Sequence, residues 1–160
     1  MTQDPTGRVR RAASALGLSV DIRERPDATS LAGAAALLGI SPADIVKTLV
    51  VARSDESYLF ALIPGDRVIS WPKLRAAVGV NKLHLPDPDR AFEATGYERG
   101  TIVPLGSTTP WPVYADESIR GRRIAMGAGA RGYSLFVEAD DLLQALSATV
   151  TDISAPQPAR

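Results

Sequence analysis

The 160-residue chain carries 18 basic and 18 acidic side chains, and its formal net charge of zero argues against a domain that is basic throughout for nucleic-acid binding. It has no cysteine and one histidine, which excludes a disulfide framework, a zinc knuckle and a thiol nucleophile and leaves too few ligands for a tight zinc site. With 45% hydrophobic and 22% charged residues it reads as one soluble globular domain, long enough to bury about two thirds of its unfolded surface. No apolar stretch approaches the roughly 20 residues of a membrane span. Met1-Thr2-Gln3-Asp4-Pro5 lacks the charged and apolar regions of a signal peptide, so the expected location is cytoplasmic.

Val9, Ala12, Ala13 and Leu16 recur at helical spacing, which predicts a helix over 5–17 that Gly17 stops. Arg8, Arg10 and Arg11 lie on that helix, as a solvated face or as a contact for an RNA stem. Val20 and Ile22 alternate with Asp21 and Arg23 as a short strand. Ser30 then caps a helix whose apolar face includes Leu31, Ala34, Ala35 and Leu38. Ser41-Pro42-Ala43-Asp44 is a compact helix start, with serine as cap and proline at the first position.

Two buried strands follow: Asp44-Ile45-Val46-Lys47-Thr48-Leu49-Val50-Val51 and Tyr58-Leu59-Phe60-Ala61-Leu62-Ile63. They read as a hairpin ended by Pro64-Gly65. Ser70 to Val78 is a predicted helix, and Leu83 and Leu85 place a strand whose His84 points to solvent. Asp87-Pro88 starts another helix, which Gly96 ends. From Gly96 to Pro112 runs a long loop rich in Gly, Pro, Ser and Thr, of a length that inside compact domains is commonly functional. Short strands at Val113-Tyr114-Ala115, Ile124-Ala125-Met126 and Tyr133-Ser134-Leu135-Phe136-Val137 precede a last helix with Leu142, Leu143 and Leu146 on one stripe. Val150 and Ile153 form an edge strand, and Ser154 to Arg160 is expected to fray. Paired strands mixed with single helices indicate one α+β domain spanning 1–160, built on a mixed sheet.

Lys47 stands out, because lysine is almost never fully buried unless it is paired. Either it snorkels to the rim or it sits in a polar pocket as a working charge. A Ser-His-Asp site would have to use His84, and there is no Gly-x-Ser-x-Gly elbow and no Gly-x-x-x-x-Gly-Lys-Ser/Thr phosphate loop. Two glycine-bearing loops remain. In Gly96 to Gly106, glycine permits close approach of backbone to a ligand and free N–H groups can hold an oxyanion. In Gly127-Ala128-Gly129-Ala130-Arg131-Gly132, small residues leave room beside a strand end. Turn geometry alone is the alternative for both.

In order, these pieces resemble the YbaK/ProX family of aminoacyl-tRNA deacylases, relatives of the editing domain of bacterial prolyl-tRNA synthetases. The resemblance runs from about Ser30 to Ile153. It rests on Ile45-Val46-Lys47-Thr48-Leu49-Val50, Ile63-Pro64-Gly65-Asp66, Ala94-Thr95-Gly96-Tyr97, Gly100-Thr101-Ile102-Val103-Pro104-Leu105-Gly106, Val113-Tyr114-Ala115-Asp116, Gly127 to Gly132 and Ala139-Asp140-Asp141-Leu142-Leu143. It implies a mixed, partly barrel-like sheet wrapped by helices. It also implies hydrolysis of the ester joining a wrong, small amino acid (Ala, Cys, Ser or Thr) to tRNA, with no cofactor and no metal. A hydroxyl of the terminal ribose then helps to activate the water.

By the same resemblance Lys47 is the functional lysine. Gly100, Thr101, Ile102, Val103 and Pro104 form a Gly-x-x-x-Pro loop that positions the aminoacyl end. Gly127, Ala128 and Gly129 join it in the substrate site. Arg131 is left to contact phosphate, since Ala130 stands where many relatives have a second basic residue. Ile45, Leu62 and Met126 are placed to set pocket size, and Asp116 either orients Lys47 or ends its strand. The implied partners are the acceptor end of a mischarged tRNA and, as a second, an aminoacyl-tRNA synthetase. A non-catalytic module that binds tRNA or a synthetase is the competing reading, as is an esterase for a small metabolite.

Overall fold

The computed structural model describes residues 5–24 and 31–158. Ser30, expected to cap a helix, lies outside the described residues, as do Met1–Asp4 and the last two residues of the tail.

Helix α1 (Pro5–Ala15) is followed by β1 (Asp21–Glu24) and α2 (Leu31–Leu38). Ser41 does cap a helix start, its Oγ accepting from the Ala43 N–H, but only one 3-10 turn forms over Pro42–Asp44 before the chain extends. β2 (Val46–Arg53) and β3 (Tyr58–Pro64) pair antiparallel along their length as the expected hairpin. β4 (Arg67–Ile69) precedes α3 (Trp71–Val78), β5 (Leu83–His84) and α4 (Pro88–Thr95). β6 (Val113–Asp116), β7 (Arg123–Gly127) and β8 (Tyr133–Glu138) lead to α5 (Ala139–Ala145), β9 (Thr149–Thr151) and β10 (Ser154–Pro156).

A five-stranded mixed sheet runs β5-β2-β3-β6-β9, with β3, β6 and β9 parallel. A three-stranded antiparallel sheet runs β1-β8-β7. A parallel bridge from Ile45 to Ala125 joins the two, so they curl around a shared core without closing into a barrel. β2 and β3 bury both faces, which is why each reads as an unbroken apolar run rather than an alternating one. Val46, Val50, Phe60 and Leu62 face the larger core, with Val9 and Ala13 of α1 and Met126 of β7. Val51, Leu59, Ala61 and Ile63 face a smaller core closed by Leu74 of α3 and by Ile153.

Several expectations need correction. The tail does not fray at Ser154: residues 154–156 pair with β4, a strand hidden behind the Pro64-Gly65 turn signal. Ser154 is fully buried, its Oγ accepts from Arg67 Nε at 2.6 Å, and its carbonyl accepts from Lys73 Nζ at 2.9 Å. α1 stops at Ala15, two residues before Gly17. Leu85, expected on the same strand as Leu83, is half exposed because β5 ends at His84. His84 itself is exposed. Arg10 and Arg11 are solvated, but Arg8 is not a surface charge. Its guanidinium stacks 4.6 Å from the Tyr97 ring and donates to the carbonyls of Thr95 (3.1 Å), Gly96 (3.3 Å) and Gly106 (2.5 Å). The long loop is therefore braced by the first helix at its start and again at Gly106.

Asp116 ends β6 and ties down the carboxyl-terminal strands. Its carboxylate accepts from the Ile153 N–H at 3.0 Å, from the Ser118 N–H at 3.2 Å and from the Ser118 hydroxyl. Burial alone would raise its carboxyl, but these bonds and one from the Ser154 hydroxyl hold it below the ordinary 3.8. A carboxyl held low by folding stabilises the fold fully above its ordinary value and loses that contribution as pH falls through the depressed one. Asp116→Asn is therefore expected to cost about 1–3 kcal/mol at neutral pH. Its deficit relative to the wild type, followed by urea melts, should shrink as the solution is acidified below pH 3.8. A deficit that does not change with pH would show that the charge plays no part.

Candidate functional site

A cavity of about 550 Å³ opens where the two sheets meet. Its floor is β2 from Val46 to Val50 with the preceding Ile45, and β7 supplies Ala125, Met126 and Gly127. Gly100 and Ile102 form one wall, Ala34 and Leu38 of α2 another, and Leu85, Pro86 and Pro88 the rim. The surroundings are mostly apolar, as is usual for small-ligand sites, with a few polar groups set among them.

Lys47 lies in this lining. It pairs with Ile63 across the hairpin, and its Nζ donates to the Arg67 carbonyl at 3.0 Å. Partial burial lowers its ammonium below the ordinary 10.5, and the Asp66 carboxylate raises it part of the way back. The lysine thus does not snorkel freely, and it forms no ion pair among the described residues. It is a half-desolvated cation fixed by one carbonyl. Beside it, the buried Thr48 Oγ1 has no hydrogen-bond partner among the described residues.

The Gly100–Pro104 segment is held from below. Thr101 donates its N–H and its hydroxyl to the Glu98 carbonyl, at 3.0 and 2.7 Å, and its own carbonyl accepts from the Gly129 N–H at 2.9 Å. Thr101, Val103 and Pro104 are buried. Among the described residues, the N–H groups of Gly100 and Ile102 have no protein acceptor, and both residues line the cavity. Gly127 permits the close docking of this loop on β7. A Cβ there would sit 2.7 Å from the Ile102 carbonyl oxygen and 2.8 Å from that of Thr101, closer than real Cβ atoms come to backbone.

Of the residues singled out from the sequence, the cavity brings together Lys47, Ile45, Gly100, Ile102, Gly127 and Met126. Thr101, Gly129 and Arg131 line a second, shallower groove on the far side of the same loop. Val103, Pro104 and Ala128 are buried beneath the loop and the hairpin turn. Leu62 is in the core, and Asp116 lies outside the cavity with its carboxylate bonded as described above. Sequence reasoning missed Arg99, an exposed cation in the cavity lining, and the mouth residue Leu85. An arginine directly before the Gly-x-x-x-Pro segment was the available signal for the first. Among the described residues no three or more histidine or carboxylate side chains gather as a metal-ligand set, and no helix is long and apolar enough to cross a membrane.

The sequence family described as "Aminoacyl-tRNA editing domain" matches residues 25–145. The chain belongs to this family. The editing-domain chain is 31% identical over 135 residues to an Enterococcus faecalis protein named "Putative Cys-tRNA(Pro)/Cys-tRNA(Cys) deacylase EbsC", covering 82% of this chain and 80% of that one. It is 32% identical over 119 residues to a proline–tRNA ligase of Heliobacterium modesticaldum, covering 74% of this chain but only 20% of the ligase. A solved structure titled "Crystal structure of a putative trans-editing enzyme for prolyl tRNA synthetase" superposes with a TM-score of 0.87 at 26% identity, over 97% of this chain and 99% of that one. These likenesses bear out the single α+β editing-domain fold expected from the ordered motifs.

Two outcomes follow from this geometry. A lysine held below its ordinary value costs folding stability while it stays charged, and that cost is relieved as pH rises through the depressed value toward 10.5. The melting temperature of Lys47→Met relative to the wild type is therefore highest at neutral pH and falls as pH approaches 10.5; a constant difference would contradict the burial of the charge. Gly127→Ala forces its Cβ against the Thr101 and Ile102 backbone, and overpacking of this kind costs about 1–3 kcal/mol. Denaturant melts check it, and a neutral effect would mean that the loop is free to move away from β7.

Proposed function

We propose that this chain is a free-standing, metal-independent aminoacyl-tRNA deacylase that removes a small amino acid, with cysteine, alanine, serine and threonine as the candidates. The observation that carries the reading is the convergence on one apolar cavity of a fixed cation, Lys47, and two unpartnered backbone donors, the N–H groups of Gly100 and Ile102. Preorganised donors of this kind stabilise charge that develops on an acyl oxygen, and they do so most strongly where water is excluded.

In the proposed reaction the terminal adenosine and its aminoacyl group enter between the Gly100–Pro104 loop and β2. Water attacks the acyl carbon, the carbonyl oxygen takes the negative charge, and the bond to the ribose oxygen breaks. Free amino acid and a tRNA with its ribose hydroxyl restored leave. The neighbouring ribose hydroxyl relays the proton, handing its own to the departing ribose oxygen as it takes one from the attacking water, since neither His84 nor any carboxylate is among the cavity-lining residues. A cavity of about 550 Å³ that must also admit the adenosine leaves room for only a small side chain, and Ile45 and Met126 set that limit. The chain's likeness to a protein named for Cys-tRNA(Pro) makes cysteine on tRNA(Pro) the first substrate to try, and its likeness to a segment of proline–tRNA ligases makes that synthetase the first partner. The cytoplasm, where charged tRNA is used, is the proposed location.

A panel of charged tRNAs, incubated with the purified protein and with Lys47→Ala, tests this. Turnover of a mischarged species is expected, unaffected by added chelator and reduced about a hundredfold or more in Lys47→Ala. Full activity in that variant would remove Lys47 from the mechanism. Absence of turnover on every species, with tRNA binding retained, would overturn the enzyme in favour of a binding module.

A further inference from the structure

The Gly100–Pro104 loop is a thin partition. Gly100 and Ile102 line the cavity, while Thr101 between them lines a groove on the opposite side. The groove encloses about 800 Å³ and is completed by Phe92 of α4, Glu98, Thr108 and the turn residues Gly129 to Arg131. Phe92 is 49% exposed, and it is the one aromatic ring among the large hydrophobic side chains that the described residues leave in solvent. Burying it would have been easy on an amphipathic helix whose Ala91, Ala94 and Thr95 already face the core. Instead it projects beside Arg131, an exposed guanidinium with no ion-pair partner among the described residues. Arg99, exposed and equally unpaired, stands across the partition on the cavity side.

An exposed ring and unpaired cations are the means by which proteins hold single-stranded nucleic acid, the base on the ring and the phosphates on the cations. We propose that this groove is a subsite for the unpaired nucleotide that precedes the terminal adenosine. Its base stacks on Phe92, and the strand crosses the partition at Gly100–Thr101 with its phosphates between Arg99 and Arg131. Glu98, the one acid lining the groove, offers an acceptor to an exocyclic amine of the stacked base rather than to phosphate. Gly100 leaves the crossing point clear, since a Cβ built there meets nothing within 4 Å. This subsite rests on the deacylase reading, because it extends the strand whose end occupies the cavity.

Two measurements test it separately from that reading. First, Phe92→Ala is compared with the wild type on aminoacyl-tRNA and on an aminoacyl-adenosine fragment that has no preceding nucleotide. The expected result is a KM raised about tenfold or more on the tRNA, matching the loss of one stacked base, with hydrolysis of the fragment unchanged. Equal behaviour on both substrates would overturn the subsite while leaving the deacylase intact; no hydrolysis of either by the wild type would overturn the deacylase. Second, Phe92→Trp places a reporter on the groove and requires no turnover. A single-stranded RNA ending in CCA should quench its emission, and the same RNA lacking the base before the terminal adenosine should bind about tenfold more weakly. Equal quenching by both RNAs would also overturn the subsite.

Discussion

Strand β2 pairs with β3 along its whole length and with β5 at its far end, and Ile45 just before it bridges to β7, so one strand holds both sheets together. Its two faces look into two different cores. A strand in that position has no solvent side on which to place polar residues, and a charge on it must be explained by local architecture. Lys47 stands near the end of β2 where the two sheets diverge and the cavity opens. There its half-buried ammonium donates to the Arg67 carbonyl. That carbonyl belongs to β4, which is held by β10, and β10 follows Ile153, whose N–H is held by Asp116. The lysine is thus seated at the end of a chain of backbone pairings that runs to the carboxyl-terminal strand.

The opposite wall of the cavity is braced in an analogous way from the other end of the sequence. Arg8 gathers the carbonyls of Thr95, Gly96 and Gly106, and its ring partner Tyr97 donates its hydroxyl to the Leu105 carbonyl at 2.7 Å. Burial pushes the Tyr97 phenol up to about 12, the nearby Arg8 charge opposing the shift, so it remains a donor across the working pH range. A Cβ on Gly106 would meet the Tyr97 hydroxyl at 2.6 Å and the Arg8 carbonyl at 2.9 Å, which explains a glycine at that point of the loop. Both braces, Arg8 on α1 and Ser154 on β10, lie outside the residues 25–145 that match the editing-domain family. The segments flanking the matched domain act as its clamps.

Much of this was legible from the chain. The hairpin of β2 and β3, the helices that begin at Ser70 and Asp87-Pro88, and the strand–turn–strand around Gly127 follow from local rules: periodicity, proline at a first helical position, glycine at a turn. Elements fixed by distant partners were not. β4 and β10 are three residues each and exist because they pair across more than 80 residues of sequence, Ile69 with Ser154 and Arg67 with Pro156. No window of periodicity contains that information. Arg8 looked like surface charge because its partners are carbonyls about 90 residues away. The cavity was legible in part: Lys47 stood out by residue type, and Gly100 and Ile102 by lying in a glycine-bearing loop that resembles the Gly-x-x-x-Pro loop of the family, whereas Leu85 and Arg99 look ordinary until β5 and α4 bring them to the rim. Gly127 was read as leaving room, and the space is in fact filled by the Thr101 and Ile102 carbonyls.

The energetics of the cavity also bear on why such a site persists. A half-desolvated ammonium and a buried hydroxyl without a partner, on Thr48, both subtract from stability, and an apolar substitution at either position would relieve the fold. Structural need does not account for them, because β2 is already secured on both edges and both faces. Groups that cost stability where packing does not require them are expected where charge must be met during a reaction. The same low dielectric that penalises the free ammonium multiplies its pull on a developing oxyanion. In the deacylase proposed above, a cation set in an apolar wall, facing N–H groups that have no acceptor among the described residues, is the store of electrostatic stabilisation on which hydrolysis of the ester draws.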